Sequence, residues 1–347
     1  MRAPVLKVED LSVHFQVDAG IGLFRHDYQT IRAVDRVSFE LGPAETLGIV
    51  GESGCGKSTL ARAILGLVKP AGGRVVWLGE NLARLDAEQM RKKRSELQLI
   101  FQDPFGSLDP RMTVGQIVAE PLKNFYPSMS RMQLRERVAG MLKMVGLAPE
   151  QINRYPHEFS GGQCQRIGIA RALVVNPRLV VCDEPVSALD VSIQAQIVNL
   201  LKELQNKLQL ALIFIAHDLS VVQHISDRVL VMYLGRVMEV ADRNSIYKNP
   251  AHPYTRALIE SVPIPDPKAE RARARKSLGG ELPSATNPPS GCVFRTRCPY
   301  AIDACAAREP PLETLESGNQ VACIRHQEIP ALAAEQARAE AEAESNS

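Results

Sequence analysis

A glycine-rich loop between a strand pattern and a helix pattern constrains the fold of this chain most strongly. Residues 51–59 read Gly-Glu-Ser-Gly-Cys-Gly-Lys-Ser-Thr, which matches the pattern G-x-x-x-x-G-K-[ST]. The apolar segment 45–50 reads as a buried strand, and residues 57–65 read as the helix that follows. Such a strand–loop–helix unit turns backbone N–H groups and a helix N-terminus toward phosphates. The loop therefore predicts an α/β fold that binds a nucleoside triphosphate.

Every residue of this phosphate loop is a candidate for contacting the nucleotide. We expect Lys57 to reach the β- and γ-phosphates and Ser58 to bind Mg²⁺. A glycine-rich turn that matches by coincidence is the alternative, and the Lys-Ser-Thr continuation and the flanking elements disfavour it. The candidate residues are Gly51, Glu52, Ser53, Gly54, Cys55, Gly56, Lys57, Ser58 and Thr59.

A second apolar run ends in two carboxylates. Residues 178–182 read as a central parallel strand, and Asp183 and Glu184 follow it, at the strand end where doubly wound sheets bind their ligands. We expect Asp183 to hold magnesium through water and Glu184 to polarise the attacking water. A solvated acidic turn is the alternative, but it explains neither the apolar run nor the position of the carboxylates.

Two further strand patterns end in polar side chains. His217 follows the apolar run 210–216, and Gln102 follows the run 97–101. A single histidine is more often structural than catalytic, but one at a strand end in a chain with phosphate motifs is a candidate contact of the γ-phosphate. Four strand ends are therefore expected to converge on one phosphate.

Composition narrows the class of protein further. The 347 residues carry a net charge of +2 and one tryptophan, so neither a basic field nor a base-stacking surface indicates a nucleic-acid partner. No apolar run approaches the ~18–20 residues that span a bilayer. The N-terminus lacks the apolar core of a signal peptide, so the expectation is a cytoplasmic chain. If it serves transport, another polypeptide must supply the pore.

Taken together, these motifs resemble the ATP-binding cassette family. The motifs in chain order are the phosphate loop at 51–58, Gln102, Phe-Ser-Gly-Gly-Gln at 159–163, the strand 179–184, Ser-Ala-Leu-Asp at 187–190, and His217. The resemblance implies an active ATPase in which Glu184, His217 and Gln102 are catalytic. It also implies that Ser58, Gln102 and Asp183 bind Mg²⁺.

In that family two cassettes pair head to tail and clamp ATP between them. Ser160, Gly161, Gly162 and Gln163 would then contact the ATP held by the partner's phosphate loop, at the start of a helix whose dipole favours phosphate. Cys164 follows where the family usually has a basic residue, which predicts weaker phosphate attraction. Only one cassette pattern occurs here, so the second is expected from another copy or a sister chain.

Two other features follow from the family resemblance. The adenine is expected to stack on an aromatic ring near the end of the first strand, for which Phe15 is the first candidate and Tyr28 the second; an ordinary core role for Phe15 is the alternative. The mostly helical residues 103–158, with the turn-rich segment 103–110, are expected to receive helices from membrane subunits. A simple connecting loop is the alternative for that segment.

Four cysteines cluster near the C-terminus in the spacing Cys-x5-Cys-x6-Cys-x17-Cys. Disulfides are disfavoured in a cytosolic chain. The spacing fits neither a zinc knuckle nor the ferredoxin motif, so an iron–sulfur cluster, zinc and unligated thiols stay open on spacing alone. The cysteines are Cys292, Cys298, Cys305 and Cys323.

The segments His-Pro-Tyr-Thr-Arg-Ala-Leu at 252–258 and Gly-Cys at 291–292, with Arg-Cys-Pro at 297–299, resemble the C-terminal extension of oligopeptide and dipeptide importer ATPases. By that resemblance the four cysteines are expected to hold a structural [4Fe–4S] cluster. The extension is found in heteromeric importers, which favours a sister ATPase as partner.

The predicted fold is therefore a P-loop cassette of the α/β class with a mixed β core, a helical subdomain and a small Cys-rich extension. Its expected divisions are a nucleotide-binding domain at 1–258 with the helical subdomain at about 103–170, a linker at 259–290, the extension at 291–330 and a disordered tail at 331–347.

The expected function is that of the ATPase subunit of a bacterial importer of di- and oligopeptides, bound to the cytoplasmic face of the inner membrane. Its cofactors would be ATP, Mg²⁺ and the [4Fe–4S] cluster. Its expected partners are a sister ATPase, two transmembrane permeases and, indirectly, a periplasmic substrate-binding protein, with no nucleic acid. An importer of nickel or another small solute and a soluble cassette protein are the alternatives.

Overall fold

The structure is a computed structural model that describes residues 3–18, 28–262 and 280–335. Parts of the expected linker and tail, at 263–279 and 336–347, lie outside the described residues. Within the described part, no helix is both long and apolar enough to span a membrane.

The described strands form two sheets. The smaller sheet has the order β2-β1-β4-β5 and the larger has the order β11-β12-β10-β9-β3-β8-β7-β6. The strands are β1 Leu6–Asp18, β2 Tyr28–Leu41, β3 Thr46–Val50, β4 Gly72–Trp77, β5 Glu80–Asn81, β6 Leu97–Ile100, β7 Leu179–Asp183, β8 Ala211–Ile215, β9 Arg228–Tyr233, β10 Arg236–Asp242, β11 Glu313–Thr314 and β12 Gln320–Val321.

The larger sheet is parallel in its middle and antiparallel at one side. Strand β3 pairs in parallel with β8 and β9, β7 pairs in parallel with β8 and β6, and β9 and β10 form an antiparallel pair. The α/β class with a mixed sheet, which the apolar runs predict, is confirmed.

Burial on both faces explains why the central strands are continuously apolar. Strands β3, β7 and β8 are buried along their whole length. Successive side chains of a strand point to opposite faces, and in β8 Leu212 and Phe214 join one apolar cluster while Ile213 and Ile215 join the other. The sheet therefore has a separate apolar layer on each face, as parallel sheets require.

Helices cover both faces of the larger sheet. In chain order, several of them lie between β6 and β7. Thr113, Ser130 and Ser160 cap the N-termini of three of these helices, and each accepts a hydrogen bond from a backbone N–H in the first turn. The described helices are α1 Lys57–Ile64, α2 Ala87–Lys93, α3 Val114–Phe125, α4 Arg131–Met144, α5 Gly161–Leu173, α6 Val191–Leu208, α7 Leu219–Ile225, α8 Arg243–Lys248, α9 Pro253–Glu260 and α10 Asp303–Ala307.

The C-terminal segment 280–335 shares the main core. Strand β12 extends the larger sheet, with Glu239 of β10 opposite Val321. Phe294 is 1% exposed and belongs to the apolar cluster on one face of that sheet. This segment therefore packs onto the body of the protein through apolar side chains.

Candidate functional site

The fold brings the four predicted strand ends to one edge of the sheet. Strands β3, β8, β7 and β6 are neighbours in this order and run parallel, so their carboxyl ends lie side by side. The phosphate loop follows β3, His217 lies two residues beyond β8, Glu184 follows β7, and Gln102 lies two residues beyond β6. Ligands of open α/β sheets bind at this edge.

Two glycines of the phosphate loop lie where no side chain fits. Gly51 has a φ of 154°, and a Cβ there would lie 2.2 Å from the carbonyl oxygen of Met232. Gly56 has a φ of 105°, and its Cβ would lie 2.0 Å from the carbonyl oxygen of Ala33. Both positions need glycine for the backbone angle and for the close approach of another chain segment. The loop thus wraps tightly into the N-terminus of α1.

Lys57 is enclosed by the loop. Its Nζ donates hydrogen bonds to the carbonyl oxygens of Gly51 at 2.8 Å and Glu52 at 3.0 Å, and the residue is 4% exposed. The side chain of Cys55 is buried beside it, so Cys55 has only its backbone to offer a nucleotide. The Lys57 ammonium group is therefore a cation held in a fixed position. It lies where the backbone N–H groups of the loop and of the helix N-terminus would bind an anion.

Ser58 and Asp183 meet across the loop. Ser58 Oγ donates a hydrogen bond to Asp183 Oδ1 at 2.7 Å, although 125 residues separate them. Burial raises the pKa of Asp183, while the Ser58 hydrogen bond and the charge of Arg62 oppose that rise. A hydroxyl and a carboxylate are hard oxygen ligands, and Mg²⁺ binds through one or two such groups plus phosphate and water. These two residues fit magnesium.

Glu184 is held by the two neighbouring strand ends. Gln102 Nε2 donates to Glu184 Oε2 at 3.1 Å, and His217 Nδ1 lies 3.5 Å from the same oxygen. The φ of Glu184 is 46°, a left-handed angle that is uncommon outside glycine and often marks a functional residue. The structure thus brings together the three residues predicted to be catalytic.

An open cavity of about 530 Å³ lies directly over this group. Ser53 of the phosphate loop, Gln102, Glu184 and His217 all line it. The cavity therefore offers room for a phosphate and a water between the loop and the Glu184 carboxylate. The predicted Mg²⁺ contact of Gln102 stays a prediction, since Gln102 hydrogen bonds to Glu184 here.

The predicted Ser-Gly-Gly-Gln motif begins α5 and does not join the cavity. Ser160 Oγ accepts a hydrogen bond from Gln163 N, and Gln163 Oε1 accepts one from Ser160 N. Ser160 is exposed. None of residues 160–163, all within the described part of the chain, lines the cavity over Glu184. Within one chain this helix N-terminus is therefore separate from the phosphate loop's own cavity.

Cys164 has no contact with solvent, and the expectation of weaker phosphate attraction without a basic residue here stays a prediction. It is 0% exposed, and its Sγ lies 3.5 Å from the carbonyl oxygen of Pro156. Burial raises the pKa of the Cys164 thiol to about 11. The Cys164 side chain is therefore a small apolar group of the core, and it contributes to core packing.

Phe15 and Tyr28 both lie on the hairpin of β1 and β2. Phe15 is opposite Ile31 and is 41% exposed, and Tyr28 is 60% exposed. The exposure of Phe15 leaves its ring free to stack on a flat ligand, so the adenine contact stays a prediction.

The prediction of a [4Fe–4S] cluster is wrong. The four C-terminal cysteines do line one small, mostly apolar cavity. However, across residues 3–18, 28–262 and 280–335 no group of three or more His, Cys, Asp or Glu side chains is placed to hold a metal ion. Burial raises the pKa of Cys298 to about 12 and that of Cys323 to about 11, which favours the protonated thiols. The sequence spacing of these four cysteines also lacks the closely paired cysteines of the zinc and ferredoxin motifs.

Sequence reasoning missed an aromatic group beneath the phosphate loop. Tyr233 of β9, Tyr254 of α9 and Phe294 pack together, with the Tyr233 ring centroid 4.7 Å from that of Tyr254 and 5.4 Å from that of Phe294. Tyr254 Oη accepts a hydrogen bond from Glu52 N at 2.9 Å. The three rings come from distant parts of the chain, so no local pattern signals that they support the loop.

Family models match two parts of the chain. The model described as "ABC transporter" matches residues 34–187, and the model described as "Oligopeptide/dipeptide transporter, C-terminal region" matches residues 238–305. The first match contains the phosphate loop, Gln102, Ser160 and Glu184, and the second contains three of the four C-terminal cysteines.

Curated relatives match almost the whole chain. The oligopeptide transport ATP-binding protein OppF of Escherichia coli is 59% identical, over 93% of this chain and 97% of its own. The protein of the same name from Haemophilus influenzae is 57% identical, over 92% of this chain and 97% of its own. The putative oligopeptide transport ATP-binding protein YkfD of Bacillus subtilis is 53% identical, over 93% of this chain and 95% of its own.

Solved structures share the fold. The ATP-binding cassette MJ0796, described as a dimer in a post-hydrolysis state with ADP and Pi, has a TM-score of 0.61 and 30% identity. It matches 69% of this chain and 98% of its own. The protein cbiO1 of Clostridium perfringens, described as part of an ABC transporter complex, has a TM-score of 0.60 and 28% identity, over 71% of this chain and 91% of its own.

Proposed function

The chain belongs to the family of ABC transporter ATP-binding proteins, and we propose on that basis that it is the ATP-hydrolysing subunit of a bacterial oligopeptide importer. The observation that carries this proposal is Glu184, held by Gln102 and His217 over a cavity that the phosphate loop also lines. The relatives at 57–60% identity are named for oligopeptide transport, which supports this substrate class over nickel or another small solute.

The proposed chemistry is the attack of a water on the γ-phosphate of ATP. Glu184 orients and polarises that water, and His217 and Gln102 hold the Glu184 carboxylate and contact the γ-phosphate. Lys57 and the loop N–H groups bind the β- and γ-phosphates. Ser58 and Asp183 hold Mg²⁺, with Gln102 as the third proposed contact, and when bound this ion neutralises phosphate charge. Hydrolysis thus rests on positioning and on electrostatic stabilisation.

ATP is proposed to bind between two cassettes. The N-terminus of α5, with residues 160–163, is separate from this chain's own cavity, so it is free to cap a nucleotide held by a partner. The solved relative MJ0796, whose description is of a dimer with ADP and Pi, supports this arrangement. A sister ATPase is the proposed partner, and closure of the pair depends on the γ-phosphate.

The remaining proposals concern assembly and domain organisation. We propose two permeases and, indirectly, an exported substrate-binding protein as partners, with the chain at the cytoplasmic face of the inner membrane. We also propose the divisions given by sequence, which are a cassette at 1–258 with its helical subdomain at about 103–170, a linker at 259–290, a C-terminal extension at 291–330 and a tail at 331–347. The match of the oligopeptide transporter C-terminal model to residues 238–305 supports the extension.

Peptide uptake in a strain that lacks the gene for this chain tests the proposed function. The wild-type chain is expected to restore uptake of a labelled tripeptide by at least about tenfold over an empty vector, and Lys57→Ala is expected to restore none. Labelled nickel is measured in parallel. Restoration of nickel uptake alone, or of neither solute, would contradict the oligopeptide assignment.

A further inference from the structure

The C-terminal segment 280–335 contacts the phosphate loop through an ion pair. Arg297 Nη1 donates to Glu52 Oε2 at 2.7 Å, and Arg297 Nη2 donates to Glu52 Oε1 at 3.0 Å. The two bonds together are the bidentate geometry in which arginine binds a carboxylate most strongly. The side chain of Arg297 is 5% exposed and that of Glu52 is 26% exposed. The Arg297 side chain is therefore buried, while the Glu52 carboxylate is partly buried.

Aromatic rings fix both partners of this ion pair. The Arg297 guanidinium lies over the Tyr233 ring, 5.9 Å from its centroid, and Arg297 Nη1 lies 3.4 Å from Tyr233 Oη. Tyr254 Oη holds the backbone N–H of Glu52, and Lys57 Nζ donates to the Glu52 carbonyl oxygen. Glu52 is thus restrained at its side chain, its N–H and its carbonyl, and Arg297 supplies the side-chain restraint.

The charge of Glu52 conflicts with the ligand of the loop. A triphosphate is strongly anionic, and a free carboxylate within the phosphate loop would repel it. The Arg297 guanidinium neutralises that carboxylate in place. Since Lys57 bonds to the Glu52 carbonyl, movement of Glu52 would also disturb the ammonium group that meets the phosphates.

We propose that Arg297 is a positioning residue of the nucleotide site, which neutralises Glu52 and fixes the start of the phosphate loop so that the C-terminal segment sets the affinity for ATP. This inference rests on the proposed ATPase function. The competing explanation is that Arg297 only attaches the C-terminal segment to the body of the protein. The two explanations differ in what a second substitution at Glu52 does.

The test is ATP binding by the full-length chain, measured by displacement of a fluorescent ATP analogue. Arg297→Met is expected to raise the Kd for ATP about tenfold, which is the size of effect that losing a charge-assisted hydrogen bond gives. Arg297→Met combined with Glu52→Gln is expected to recover most of this loss, because the uncompensated charge is gone.

Arg325→Met is the matched control. Arg325 pairs with Glu328 and donates to the carbonyl oxygen of Tyr300, both within the C-terminal segment, and its side chain is 17% exposed. Its removal is expected to leave the Kd for ATP within about twofold of wild type, since effects of that size are typical of substitutions away from the site. Arg297→Lys keeps the charge and is expected to lie between wild type and Arg297→Met.

Three results would overturn the proposal. They are a Kd for Arg297→Met equal to that of wild type, a double variant as weak as Arg297→Met, and an equal loss for Arg325→Met. If Arg297→Met does not fold, Arg297→Gln is measured in its place with the same expected order. A wild-type chain that binds no ATP would instead refute the ATPase function itself, so the two failures are distinguishable.

Discussion

Replacing Glu184 by glutamine is expected to lower ATP turnover at least about 100-fold while the Kd for ATP stays within about twofold of wild type, since a positioned general base contributes 10²–10⁴-fold. Glu184→Gln keeps the shape of the side chain and removes its negative charge. The amide still reaches Gln102 and His217, so the binding surface changes little, but an amide cannot polarise water as a carboxylate does. The variant is therefore expected to bind ATP and to keep two cassettes closed.

Steady-state phosphate release by the chain assembled with its membrane partners measures the first quantity, and displacement of a fluorescent ATP analogue measures the second. Glu203→Gln is the control, because Glu203 is an exposed carboxylate on α6. It is expected to keep wild-type turnover. Turnover by Glu184→Gln within about threefold of wild type would exclude Glu184 as the residue that activates water.

Replacing Lys57 by alanine is expected to raise the Kd for ATP at least about 100-fold, because phosphate binding then loses a charge-assisted hydrogen bond and a buried cation together. Lys57 is 4% exposed, and its ammonium group already donates hydrogen bonds to the carbonyl oxygens of Gly51 and Glu52. Alanine removes this cation from the cradle and leaves the two carbonyl oxygens facing the phosphates. The loss is therefore larger than that expected for Arg297→Met, which acts through Glu52.

The measurement is the same displacement assay, with thermal unfolding recorded for each variant. Lys69→Ala is the matched control, because Lys69 is an exposed lysine shortly after α1. It is expected to bind ATP as wild type does. A Kd for Lys57→Ala close to that of wild type would mean that phosphate binding does not depend on the lysine of the loop.

The sequence predicted the central strands well because burial on two faces leaves a simple pattern. The runs at 45–50, 178–182 and 210–216 correspond to β3, β7 and β8 within about two residues at each end, which is the usual scatter of element boundaries. The convergence of Gln102, Glu184 and His217 was also predictable, because polar residues after neighbouring parallel strands reach the same edge. The left-handed φ of Glu184 was not, since the sequence has no glycine there to mark it.

Contacts between distant segments could not be predicted in the same way. The partners Arg297 and Glu52 lie 245 residues apart, and neither side chain carries a local signal of the other. The segment that contains Arg297 indicated a C-terminal extension by resemblance, but nothing in it indicated a contact with the phosphate loop. Resemblance raised the expectation of an iron–sulfur cluster where spacing had left three alternatives open, and the arrangement of the described cysteines did not support it. The spacing of the cysteines, which left all three alternatives open, was therefore the more reliable evidence about their ligation.

The position of Ser160 carries the central claim, which is that ATP is bound between two cassettes. Ser160 is exposed at the N-terminus of α5 and lies outside the cavity over its own chain's Glu184. A large side chain at this position would sterically exclude a partner's γ-phosphate without touching the phosphate loop of the same chain. Ser160→Arg therefore tests two properties separately, which are ATP binding by one chain and ATP hydrolysis by the pair of cassettes.

The deciding measurement is ATP turnover by the chain co-purified with its membrane subunits, with Ser160→Arg in place of the wild type. The prediction is that the isolated variant binds ATP as wild type does, while turnover of the assembled complex falls at least about tenfold, as expected when a contact to the transition-state charge is lost. Unchanged turnover in the assembled complex would contradict the claim that ATP is clamped between two cassettes.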